Sequence, residues 1–249
     1  MPAPALRPLS LGELLDTSFA IYRNLFGQLF LVAVVTSGLP NVLQVYIEFA
    51  GGVGENLIFW LGTALLSLVL AAVGLAATTF IVSDHYLGEG LSAGAAFGRA
   101  APYVVRLVLL SVAASFLTGL GMLLLLVPGI IVMCGLAVAP ASLVLERLPS
   151  ATAGLSRSWE LTRGFRWKVL GTLIVVLLLL TIPSIAIGTL ALAFSAIGGA
   201  PLEVASSIVI VVLTVLISPF YYVALTVLYY DLRVRKEGFD LEVLASALG

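Results

Sequence analysis

Twenty consecutive residues, Ile208 to Val227, carry no charge, whereas the next fifteen, LYYDLRVRKEGFDLE at 228–242, carry seven. Uncharged apolar runs recur along the chain, at roughly 25–47, 57–82, 106–127, 129–146, 168–195 and 203–230. About 20 apolar residues cross the hydrocarbon of a bilayer as a helix. No water is available there to satisfy backbone groups, so a segment that crosses must bond internally. A soluble fold is excluded by the same pattern. The chain has 249 residues, 61% hydrophobic and 10% charged, where a soluble domain carries about 25% charge. The expected fold class is therefore all-α: a polytopic membrane bundle of six transmembrane helices, one integral membrane domain over 1–249 with a tail from 231 to 249.

Val127-Pro128-Gly129 predicts a tight turn between the third and fourth spans. The fourth span is short, and a re-entrant segment is its rival reading. If 129–146 failed to cross, however, the five basic residues from 147 to 168 would sit opposite Arg99 and Arg106, so six spans is the consistent reading. Pro40, Pro140, Pro183 and Pro219 fall inside apolar runs, where each removes a backbone donor and bends its helix.

The charges set orientation. All 12 basic residues fall in one set of connections. These connections hold Arg7 and Arg23, then Arg99 and Arg106, then the stretch from Arg147 to Lys168, and finally Arg233, Arg235 and Lys236. The opposite connections carry only Glu48, Glu55 and Glu203. Basic residues are retained on the cytoplasmic side, which puts both termini there. The first residues lack an apolar leader core, so no cleavable signal peptide is expected. Net charge is −1, which does not suggest nucleic acid as a partner.

Three segments share a layout, beginning at Ser10, Ser92 and Ser150. Each serine can cap a helix, and each is followed by a moderately apolar helical stretch, basic residues and a span. Aligning Ser92 with Ser150 also aligns Arg99 with Arg157. The unit would be an interfacial amphipathic helix plus two spans, repeated three-fold. The alternative is that any connection between two spans has this appearance.

Chemistry-bearing motifs are sparse. His85, the single histidine, lies beside Asp84, which makes a poor metal set; an interfacial polar cap is the plainer reading. Cys134 has no partner for a disulfide. No catalytic, cofactor-binding or metal-ligating residue is assigned, no cofactor is expected, and the chain is expected not to be an enzyme. No charged residue falls at mid-depth in a span, although coupled carriers usually keep one there. Tyr221 and Tyr222 beside Pro219 could line a groove; bonding between neighbouring helices is the alternative. Arg99, Arg157, Arg163, Arg166, Arg233, Arg235 and Lys236 are candidate contacts for lipid or a partner.

Three stretches also resemble a known family: RPLSLGELLDTSFAIYRNLF near the start, the region from VPGIIVMCG to FRWKVLG, and the closing YYDLRVRKEGFDLE. The pattern resembles the prokaryotic glycerophosphoryl diester phosphodiesterase membrane-domain family, and related uncharacterised inner-membrane families share its layout. The similarity runs roughly from 7 to 244. In the namesakes this membrane region precedes a soluble phosphodiesterase domain that needs histidine and acidic residues. Only thirteen residues follow Lys236 here, and the one histidine lies elsewhere, so the enzymatic name is not carried over. The resemblance implies a stand-alone polytopic domain of a prokaryotic inner (plasma) membrane, near lipid or glycerophosphodiester metabolism. The expected role is a non-enzymatic, lipid-proximal or partner-binding module. Its partners would be membrane lipids, anionic ones included, a membrane or cytoplasmic protein, or a second copy. A transporter or permease for a neutral or amphipathic solute is the alternative.

Overall fold

The structure, a computed structural model, describes residues 7–49, 57–198 and 200–239. The acidic connection at 50–56 with Glu55, and the tail at 240–249, lie outside the described residues. Every element described is helical. In chain order these are α1 (Leu11–Asn24), α2 (Phe26–Ala33), a π-helical segment (Val34–Gly38), α3 (Leu39–Phe49) and α4 (Leu57–Tyr86). There follow α5 (Ala93–Ala100), a 3-10 turn (Ala101–Tyr103), α6 (Val104–Leu124), α7 (Leu126–Leu136) and α8 (Ala139–Leu145). The chain closes with α9 (Ala151–Thr162), α10 (Arg166–Gly198) and α11 (Ala200–Glu237). Six stretches are long and apolar enough to cross a membrane: Phe26–Ile47, Leu57–Tyr86, Ala93–Leu124, Leu126–Leu145, Arg166–Leu190 and Val204–Glu237. The chain is a multi-pass integral membrane protein built as an all-α bundle.

The three serines cap helices. Ser10, Ser92 and Ser150 accept hydrogen bonds from the backbone N–H three residues on, at 3.3, 3.3 and 3.2 Å. Ser10 forms a full capping box with Glu13, which satisfies two otherwise orphaned donors. The register continues beyond the caps. Residues four and eight after each serine are buried: Leu14 and Ser18, Ala96 and Ala100, Gly154 and Ser158. One helical face recurs in three short helices, and each precedes two spans. The repeated unit is thus present as geometry: α1 to α4, α5 to α8, and α9 to α11.

Burial is concentrated toward the ends of the spans that meet these short helices. Ala72, Ala76 and Ala77 on α4, Leu143 and Val144 on α8, and Val223 to Leu232 on α11 belong to the core. Small side chains on α4 let its neighbours come close, the usual route to tight packing in lipid. At the other end, Leu57, Ile58 and Leu61 on α4, Leu190 and Leu192 on α10, and Ile208 and Val212 on α11 face outward. Apolar side chains can do so without cost where the surrounding medium is hydrocarbon.

Two departures from the expected spans have physical causes. The turn between the third and fourth lies at Leu125, the one residue between α6 and α7, with extended backbone (φ −164°, ψ 147°). Pro128 and Gly129 instead belong to the first turn of α7, where a missing N–H removes no helical bond. Glycines set this hairpin. A Cβ on Gly121 would lie 2.9 Å from the Gly129 Cα, and one on Gly129 would lie 2.6 Å from the Met122 nitrogen. The fourth span is also two helices. It breaks at Ala137 and Val138, and Pro140 opens α8 rather than kinking a continuous helix.

The first span carries its own irregularity. The π-helical segment faces α4 and α11: a Cβ on Gly74 would meet Thr36 Oγ1 at 2.5 Å, and Ser37 Oγ lies 3.2 Å from Ser218 Oγ. Pro219 denies α11 one backbone donor. In the turn it disturbs, the Leu216 carbonyl accepts the Tyr22 hydroxyl at 2.5 Å. Part of the polar content of the spans thus gathers where two helices depart from regularity.

Candidate functional site

The short capped helices and the adjoining span ends form a charged collar. Three carboxylates organise it, one at the end of the second span of each unit. Asp84 accepts both of its bonds from Arg99 Nη1, at 3.0 and 2.9 Å. Glu146 accepts from Arg157 Nε at 2.7 Å and from the Tyr229 hydroxyl at 2.9 Å. Asp231, whose side chain is 0% exposed, accepts from Lys168 at 2.5 Å and from Arg235 Nε at 3.1 Å. It also accepts the Leu9 backbone N–H at 2.7 Å. The acid of the first unit therefore holds the second, that of the second holds the third, and that of the third reaches back to the first. The ring closes.

A buried ion pair must regain its lost hydration through further bonds. Asp231 does so with the Leu9 amide and two cations, and the Leu9 carbonyl accepts from Lys168 and Arg235 Nη2 at 2.5 and 2.6 Å. Arg157 is the second hub, also reaching Glu237 and, at 3.7 Å, Glu160. Burial works against its charge, but hydrogen bonds to Glu146 and Glu237 outweigh this and raise its pKa above the usual arginine value. On the exposed N-terminal edge, Arg7 at 2.5 Å and the Ser10 backbone hold Glu13 down to about 2.

The candidate cations are therefore unequal. Arg99, Arg157 and Arg235 are committed to carboxylates inside the chain. Arg233 pairs with Glu237 at 2.9 Å and stacks on Phe239. Lys236 donates to the carbonyls of Glu160 and Arg163. Arg166 lies 4.2 Å over the Trp159 ring, with a buried Nε that lacks a hydrogen-bond partner among the described residues. Arg163 is exposed at the end of α9. Tyr221 faces outward, while Tyr222 lines a cavity of about 10 Å³ with Thr79, Pro140 and Thr226. That is the space of one water. His85 is half-buried at the end of α4.

A larger opening lies on the collar, between the end of α4, the junction of α5 and α6, and the bend after α8. Its volume is about 520 Å³, and Ser83, Asp84, Glu89, Arg99, Tyr103 and Arg147 supply its polar lining. Arg147 was not singled out in sequence. It follows the end of α8 with φ at 51°, in the left-handed region. The Leu148 N–H bonds the Leu143 carbonyl at 3.0 Å, a helix stop that normally carries glycine there. The signal was available: Gly88 and Gly238 stand at the corresponding ends of the other two units, with φ of 78° and 63°.

The chain matches no protein-family model and no solved structure.

Proposed function

We propose that this protein is a non-enzymatic membrane module whose collar faces the cytoplasm of a prokaryotic cell and works against lipid or a docked partner. The observation that carries this reading is the rim of the collar. Trp167 is 87% exposed, and Arg23 and Arg163 are exposed with no ion pair among the described residues. The rim lies at the level where the spans end, which is headgroup depth. Exposed indole and guanidinium side chains are suited to that boundary. The confinement of basic residues to one side supports the cytoplasmic orientation. The resemblance of the opening, middle and closing stretches supports a link to lipid or glycerophosphodiester metabolism.

Lipid retained by the purified protein tests the reading. The full chain should carry phosphatidylglycerol in preference to phosphatidylcholine. Each rim arginine adds about 1 kcal/mol of attraction to an anionic surface, roughly five-fold. The combined R23Q, R163Q and W167A variant should lose most of that preference, and equal retention would contradict the proposal. Transport of a neutral or amphipathic solute is favoured by one observation, the meeting of the π-helical segment with the Pro219 bend through Ser37 and Ser218. Flux into proteoliposomes would decide for it.

A further inference from the structure

We infer that the collar groove is a binding site for a phosphate ester anion, with Arg147 and Arg99 as its ligands. The inference rests on the lipid-proximal reading and names a ligand class and a place. A non-glycine residue held in the left-handed region is strained, and such strain clusters at functional sites, where the surrounding structure over-determines it. The helix stops that end the other two units carry Gly88 and Gly238, also with positive φ. The second unit keeps an arginine there, exposed, with no hydrogen bond or ion pair among the described residues, on the wall of a groove of about 520 Å³.

Arg99 provides the second set of donors. Asp84 occupies only its Nη1, so Nε and Nη2 have no partner among the described residues, on a guanidinium that is already oriented. A planar guanidinium fork fits the oxygens of phosphate. Arg106 adds positive charge behind the groove. It bonds the Leu148 carbonyl at 3.0 Å and lies 5.5 Å over the Tyr103 ring, and no carboxylate among the described residues pairs with it. Phe80, Leu87 and Pro102 give the groove an apolar side, which suits the first methylenes of a phospholipid's acyl chains. Glu89 on the rim opposes an anion, and the Asp84 carboxylate offsets part of the Arg99 charge.

The strain makes the test sharp, because binding and stability should move apart. The purified, delipidated full chain would be titrated with short-chain dihexanoyl phosphatidylglycerol, and separately with inorganic phosphate. R147Q and R147G should each weaken binding by about ten-fold or more. R147G should also raise the unfolding midpoint by about 2–4 °C, because glycine accepts the left-handed backbone freely. E89Q should tighten binding. Saturation by the lipid alone assigns a headgroup, and displacement of the lipid by inorganic phosphate assigns the site to a free phosphate; both support the inference. Binding that is unchanged in R147Q and R147G overturns it, as does weaker binding in E89Q, which would mark a cationic ligand. If the rim variants lose lipid while R147Q does not, the groove assignment falls and the broader reading stands.

Discussion

Asp231 shows how a single side chain in this chain acts far from its sequence neighbours. It joins the Leu9 amide, Lys168 on α10 and Arg235 on α11. D231N removes the charge and leaves two cations facing each other in a buried place. Breaking a buried pair in this way costs about 3–5 kcal/mol, so the midpoint of thermal unfolding should drop by several degrees. An unchanged midpoint would show that the hub does not hold the ring. Glu13 gives a prediction in pH. Its folded-state pKa, about 2, lies below the ordinary 4.5. The capping it provides is therefore complete above about 4.5 and is lost as pH falls toward 2. Amide exchange of the 11–24 segment, corrected for intrinsic rate, should lose protection across that window in the native chain and stay flat in E13Q. The charges were legible as cations on one side, but their partners were not. Leu9 and Asp231 are 222 positions apart, and helix packing decides whether an arginine faces lipid or a carboxylate.

At the scale of elements, the apolar runs showed the spans directly, whereas the turn within GMLLLLVPGII was misplaced because leucine and valine on both sides give no polar punctuation. Close glycine contact decides it. G121A should force the hairpin apart at a cost of about 1–3 kcal/mol, whereas G119A, with nothing within 4 Å of its new methyl, should be close to neutral. A thermal shift comparison of the two variants checks this. The hairpin is long enough to cross. Glu146 and Tyr229 touch, which fixes α8 and α11 at the same level. From there the hairpin arm runs back to Leu125 over about 32 Å, the thickness of the hydrocarbon core, about 30 Å. The tip should therefore reach the far boundary of the bilayer. In a C134A background, a cysteine at position 125 should react with a membrane-impermeant maleimide from the non-cytoplasmic side only, and resistance from both sides would place the tip among acyl chains.

For the whole molecule, the serine caps and their following helices made the three-fold plan visible in sequence. The closing of the ring was not visible, because Asp84, Glu146 and Asp231 belong to unlike local sequences. Their equivalence appears only once each is placed at the end of a second span. The ring gathers the carboxylates and cations of the collar on one face of the bundle, and the function proposed above requires that face to lie in a single aqueous compartment. Single cysteines at positions 54 and 160 in a C134A background, probed with an impermeant maleimide in sealed membranes, test this most directly. Position 54 should label only from outside the cell and position 160 only from the cytoplasmic side. Labelling of both from the same side would contradict the topology.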